Sequence, residues 1–211
     1  MSLKYFERII QNIEFDFIPL FSSKDNSILG YKVIKDFSKL GFDDKEYMYQ
    51  LAYDLGIFEN FTLQLFKKSC VQSVEKKISD KFLFYTLRIN FVRDIKNFFY
   101  SINSIINEKK IAKEKIIFDI KGVDDWNEFY ENYSYLFDFN LILKEDINTK
   151  LSINNIINSR AIFIEPRSIE TLNFIRSSAS LDIPFIFNLK REKEPLSPYI
   201  KTLKIDYYYN Y

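Results

Sequence analysis

From residue 82 to the end of the chain, short apolar runs alternate with segments of helical periodicity. No other feature restricts the fold as much. Residues 82–91, 116–120, 141–144, 161–165, 184–189 and 202–209 read as strands, being short, apolar and rich in β-branched or aromatic side chains. Between them, residues 93–109 place Ile95, Phe98, Phe99, Ile102, Ile105 and Ile106 on one helical face. Residues 124–137 form an amphipathic, aromatic-rich helix, a short helix is expected near 152–158, and another over 168–178. Strand–helix alternation of this kind predicts parallel βαβ units with right-handed crossovers. About eight strands in one domain favour a closed α/β barrel, with an open doubly wound sheet as the alternative. The whole of 1–211 reads as a single domain, without a linker or short repeat.

The first part of the chain obeys a different rule. The apolar run Phe15-Asp16-Phe17-Ile18-Pro19-Leu20-Phe21 is followed by a polar hexamer, residues 22–27, and then by a second strand-like run from Ile28 to Phe37. Six residues cannot hold a crossover helix, so these two strands must pair antiparallel. A short entry helix over 4–13 precedes them, with Tyr5, Ile9, Ile10 and Ile13 on one side. Asp43-Asp44 offer an N-cap for a helix through Leu55, and Gly56 suits its end. A further helix over 59–77 has Leu65, Phe66, Val71 and Val74 on its apolar side.

Composition removes several functions. Hydrophobic residues make up 47% and aromatic residues 18%, enough for a sizeable core. With 30 basic and 29 acidic residues the formal charge is +1, which gives no general attraction to nucleic acid or anionic membranes. Runs such as Phe98-Phe99-Tyr100 and Tyr207-Tyr208-Tyr209 therefore read as core rather than as stacking platforms for nucleic acid. There is no histidine, so Ser-His and Cys-His nucleophile systems and the usual zinc sites are excluded. The glycines at 30, 41, 56 and 122 are too dispersed for a phosphate-cradling loop. Cys70 has no partner for a disulfide and reads as a small buried hydrophobe. With no secretion-type start and no apolar run long enough to span a bilayer, a cytoplasmic location is expected.

Several motifs, taken in order, resemble the EAL-type cyclic-di-GMP phosphodiesterase domain, and each is eroded. The run Phe17-Ile18-Pro19-Leu20, the turn, and Gly30-Tyr31-Lys32-Val33-Ile34 resemble that family's Gln-Pro-Ile strand, turn and Gly-x-Glu-Ala-Leu strand. Ile18 stands at the glutamine, Lys32 at the glutamate and Asp36 at an arginine. Leu51-Ala52-Tyr53-Asp54-Leu55-Gly56-Ile57 resembles Leu-Ala-Glu-x-x-Gly-Leu/Ile, with Tyr53 at the glutamate. Thr86-Leu87-Arg88-Ile89-Asn90 is similar to Val-Asn-Leu-Ser and aligns Asn90 with the metal-binding asparagine. Ile117-Phe118-Asp119-Ile120-Lys121-Gly122 resembles Leu-Glu-Ile-Thr-Glu, keeping a carboxylate at Asp119 and losing one at Gly122. Around Leu-Asp-Asp-Phe-Gly the preferred register places Lys144 and Glu145 on the aspartates; a one-residue slip gives Glu145 and Asp146. Phe163 takes the place of the site lysine, Asn188 that of a glutamate, and Ile205-Asp206-Tyr207-Tyr208-Tyr209 resembles the closing Gln-Gly-Tyr-Tyr-Phe strand.

The resemblance implies a TIM-like barrel of the EAL type whose site lies at the carboxyl ends of the strands. It also implies that Lys32, Asn90, Asp119, Lys144, Glu145, Phe163 and Asn188 are a remnant of that site. In the family, divalent metals there activate water against a phosphodiester. Lysines at 32 and 144 are expected to neutralise Asp119 and Glu145 without metal. The bland alternative is ordinary rim charge. The expected function is thus a non-catalytic regulatory or protein-interaction module in bacterial signalling, with no cofactor and no metal. The alternatives are a non-hydrolysing cyclic-di-GMP receptor and an active phosphodiesterase using Asn90, Asp119, Glu145 and Asp146. A protein partner or self-association is expected, and Tyr207, Tyr208, Tyr209 and Tyr211 are the candidate surface, one alternate set facing inward. The absence of a helix after this last strand admits a dispensable helix, a covering partner or a longer parent protein.

Overall fold

The computed structural model describes residues 3–41, 44–123, 126–133, 136, 138–144, 161–164, 173–174, 176–177, 184–188 and 204–210. Eight strands close into a barrel in chain order: β1 Phe15–Ser22, β2 Ile28–Lys35, β3 Phe82–Arg88, β4 Ile116–Lys121, β5 Asn140–Lys144, β6 Ile162–Ile164, β7 Phe185–Asn188 and β8 Tyr207–Tyr209. The six pairings from β2 round to β8 are parallel. The strand β1 runs antiparallel to β2, as the short turn requires, and also to β8, closing the barrel through Phe21↔Tyr208 and Ser22↔Tyr207. The open-sheet alternative is thereby set aside.

Helix α1 (Leu3–Asn12) buries Phe6 and Ile9, with Ile13 just past its end, while Tyr5 and Ile10 pack at the margin. Its last carbonyls are capped from outside, Lys68 Nζ donating to Ile10 O at 2.9 Å and Gln11 O at 2.6 Å. Asp44 begins α2 (Lys45–Asp54) by accepting from the Tyr47 amide at 3.0 Å. In α3 (Phe58–Glu75) the buried stripe is Phe58, Phe61, Thr62, Leu65, Phe66, Ser69, Cys70 and Ser73. Val74, expected on that face, is instead exposed. Ser69, Cys70 and Ser73 are fully buried, and Cys70 Sγ lies 4.0 Å from the hydroxyl of Tyr85, an outward side chain of β3. Both serine hydroxyls are satisfied by carbonyls of their own helix. Helix α4 (Ile95–Glu108) is capped by Asp94 and buries Phe98, Phe99, Ile102 and Ile106; α5 (Trp126–Asn132) is shorter than its sequence pattern. The helix expected near 152–158 lies outside the described residues, as does most of that over 168–178.

Strand alternation divides the apolar residues between two cores. Outward residues of β3 and β4 (Leu83, Tyr85, Leu87, Ile116, Phe118, Ile120) join the helices in one cluster. Edge-on aromatic contacts tie it together, Phe66–Tyr85 at 4.9 Å and Phe99–Phe118 at 5.9 Å between ring centres. Inward residues Leu20, Phe84, Ile142, Ala161, Ile186 and Tyr209 form a second cluster inside the barrel. At Gly30 the β2 backbone comes so close to β3 that a Cβ would overlap the Phe82 carbonyl, so no other residue fits.

Candidate functional site

Two residues further along the inward rows of β3 and β4, the barrel lining turns polar. Thr86 and Asp119 are register partners on neighbouring strands, and Lys32 of β2 reaches them from the other side. The Lys32 ammonium donates to Asp119 Oδ1 and, at 2.9 Å, to Thr86 Oγ1. The Thr86 hydroxyl in turn donates to Asp119 Oδ2 at 2.7 Å. Lys32 is 2% exposed and Asp119 0%, so cation and anion are both withdrawn from water and answer each other. Thr86 was missed by sequence. Its signal, inward parity with Phe82 and Phe84, gains meaning only once β3 and β4 are paired.

A second cluster lies where the carboxyl ends of β2 and β3 meet α2. Arg88 donates to Glu46 through both Nη2 and Nε, the latter at 3.1 Å, and its guanidinium stacks 4.4 Å from the centre of the Tyr49 ring. Burial acts upward on the Glu46 carboxyl, but hydrogen bonding and charge from Arg88 outweigh it and hold the group below the usual range. Lys35 lies 5.6 Å from the same ring and has no carboxylate in ion-pair contact among the described residues. Burial, reinforced by Arg88, pulls its amine down to about 8. Burial likewise pushes the Tyr49 hydroxyl up to about 12.

Of the expected remnant, Lys32 and Asp119 are in direct contact. Asn90 does not continue β3; residues Ile89–Phe91 form a 3-10 turn, ending the strand at Arg88. Asn90 is exposed, and its side chain lies against Gly122. Gly122 has φ +79, and a Cβ there would overlap the Asn90 amide, so a glutamate at 122 and this placement of Asn90 are incompatible. Asn188, on β7, is 5% exposed at the same end of the barrel. Lys144 and Phe163 are register partners on β5 and β6. Glu145 and Asp146 lie outside the described residues, so the register between them stays open.

A divalent metal pair needs several oxygen donors converging on one point. Beside Asp119, Lys32 presents N–H groups and no oxygen donor, and both Asp119 oxygens already accept hydrogen bonds. No cluster of three His, Cys, Asp or Glu side chains suited to a metal occurs among the described residues. The described residues do not fit such a pair.

At the closing strand, Tyr209 is buried in the inner core and Tyr207 packs against it, half-buried. Tyr208 faces the other way, 5.7 Å from the Phe21 ring, and donates to Asn26 Oδ1 at 2.9 Å. Tyr211 lies outside the described residues. No helix among the described residues is long and apolar enough to cross a membrane.

No protein-family model matches the sequence, and no curated protein matches it. The fold, in contrast, has close counterparts. A PaMucR phosphodiesterase in complex with c-di-GMP superposes with TM-score 0.74 at 10% identity, over 94% of this chain and 93% of that one. The Bacillus subtilis YkuI protein, with an EAL domain and bound c-di-GMP and calcium, gives TM-score 0.72 at 14% identity, over 99% of this chain and 55% of that one. An EAL domain protein from Listeria monocytogenes EGD-e gives 0.69 at 11%, over 100% and 92%. Antiparallel opening pair, parallel remainder and near-complete coverage agree: this chain has the EAL-domain fold, related in architecture to c-di-GMP phosphodiesterases.

Proposed function

We propose that this chain is a catalytically inactive EAL-like domain, working in the cytoplasm of a bacterium as a regulatory or protein-interaction module. The observation that supports this most is the Lys32–Asp119–Thr86 cluster. Metal-assisted phosphodiester hydrolysis needs a cation to activate water and hold the phosphate. Here an ammonium already balances the buried carboxylate, and an ammonium has no vacant position for a water ligand. The test is incubation with c-di-GMP and magnesium or manganese, with chromatography of the linear dinucleotide. No product above a buffer control is expected; metal-dependent turnover that disappears in Asp119→Ala would overturn the reading.

A non-hydrolysing c-di-GMP receptor is the second reading, favoured by the cationic groups Lys35 and Arg88 at the carboxyl ends of the strands. A thermal shift by c-di-GMP, unaffected by chelator and lost in Arg88→Gln, would move the function there. For the interaction role, the outward surface of β8 is the candidate, since tyrosine supplies apolar area and a hydroxyl together. Tyr208→Ser should then weaken capture of a partner or self-association while leaving the barrel folded. Unchanged sedimentation and unchanged capture would remove β8 from consideration.

A further inference from the structure

Two cations share one aromatic ring beneath α2. The Arg88 guanidinium lies 4.4 Å from the centre of the buried Tyr49 ring, and the Lys35 amine lies 5.6 Å from it. Strand alternation explains how Lys35 comes to be there. It follows Tyr31 and Val33 on the outward row of β2, so it meets α2 and not the interior where Lys32 stands. The inner carboxylate is therefore on the other side of the sheet, already taken by Lys32 and Thr86. Glu46 answers only Arg88, accepting from Nε and Nη2. Among the described residues, Lys35 has neither a hydrogen-bond acceptor nor a carboxylate in ion-pair contact, and Arg88 Nη1 has no acceptor.

An amine held this way is a nucleophile in waiting. Lys35 is half-buried, covered yet open to a small molecule. Burial first, then the Arg88 charge, pull the amine down to about 8, while Asp119 acts the other way. Near pH 7.5 roughly a quarter of such amines are neutral, against about one in a thousand at the ordinary 10.5. The neighbouring guanidinium then selects among electrophiles. A protonated Schiff base would again set two cations side by side, and an acyl group would leave a neutral amide. Addition to carbon dioxide gives an anion, which turns the Lys35–Arg88 repulsion into attraction and supplies the acceptor that Nη1 lacks.

We propose that Lys35 is a carbamylation site for carbon dioxide: the neutral amine nitrogen bonds to the CO2 carbon, one proton leaves to solvent, and the resulting carbamate accepts hydrogen bonds from Arg88. No other reactant is consumed, and the step reverses when carbon dioxide falls. The site holds whether or not the chain hydrolyses or binds c-di-GMP.

The test is 13C NMR of the whole chain in 13C-labelled bicarbonate near pH 7.5, then trapping with triethyloxonium ion and peptide mass spectrometry. A carbamate resonance and an ethyl carbamate on Lys35 are expected. Lys35→Met should remove that signal and leave only the one from the terminal amine. Arg88→Gln should lower occupancy of Lys35 about fivefold or more, and Arg88→Lys, which keeps the charge, should retain most of it, with circular dichroism unchanged. If Lys35→Met does not fold, trapping in the wild type decides alone. The proposal is overturned if Lys35 carries no trapped carbamate, or if Arg88→Gln carries as much as the wild type. It is equally overturned if bicarbonate, chloride and phosphate shift the Lys35 resonances alike without a carbamate, which would mark an ordinary anion site.

Discussion

Two ion pairs stand at the carboxyl end of the barrel and differ in almost everything but their charges. Lys32–Asp119 lies inside the barrel, essentially without solvent exposure, and shares its oxygens with Thr86. Arg88–Glu46 lies on the flank beside α2, with Arg88 11% and Glu46 62% exposed. The inner pair answers a charge that has nowhere else to go, so its two members depend on each other. In the outer pair only the carboxylate stays largely in solvent, while Arg88 is mostly covered and stacks on Tyr49. Position in the barrel, rather than the chemistry of the partners, decides which of them the fold requires.

The largest effect expected is from splitting the inner pair. Asp119→Ala or Lys32→Met should each lower unfolding free energy by about 3–5 kcal/mol, because one buried charge is left uncompensated. Urea denaturation measures it; a loss below about 1 kcal/mol would mean that water reaches the cluster. Removing both charges at once, Lys32→Met with Asp119→Leu, should recover most of that loss, since well-packed apolar replacements of buried pairs are often neutral or better. A double variant as unstable as the sum of the singles would show that the two charges are not coupled.

Gly122→Glu, which restores an acidic residue at the rim, should cost about 1–3 kcal/mol through its left-handed backbone. Overlap with Asn90 adds to that cost. Asn90→Ala in the same chain should return the part of the steric share that comes from the amide group, and leave the backbone share and the contact with the Cβ of residue 90. No recovery would mean that Asn90 swings aside freely.

Lys35, a rim cation without a carboxylate, gives a pH effect with a definite sign. Its folded-state value of about 8 lies below the ordinary 10.5, so above pH 8 the unfolded chain binds more protons and stability rises with pH. The buried Cys70 thiol, pushed up to about 12 from 9.0, opposes this only above pH 9. Between pH 7 and 9 the wild type should therefore gain stability, and Lys35→Met should lack that gain. Parallel curves for the two proteins would place Lys35 in ordinary solvent. Smallest of all, Glu46→Gln should cost under about 1 kcal/mol and less in high salt. A loss comparable to that of Asp119→Ala would erase the distinction between the pairs.

Sequence determined much of this protein, for local reasons. A six-residue polar link forces an antiparallel pair, and short apolar strands alternating with helices force parallel crossovers; neither needs distant contacts to be recognised. Lys32 and Asp119 were also legible as charges in strands that should have been apolar. Other features were not legible. The buried stripe of α3 runs through Ser69, Cys70 and Ser73, the face that meets the large Tyr85 side chain of β3, a demand set by the partner surface. The apolar pattern around Val71 and Val74 does not reveal it. The strand β3 stops at Arg88 although its apolar run continues. Thr86 became part of the site only when register set it beside Asp119, and Asn90, in the turn after β3, has its side chain against Gly122. Periodicity fixes which side of a strand a residue faces, since that depends on the backbone alone. Which residues meet across strands depends on register and closure, and only the assembled barrel sets those.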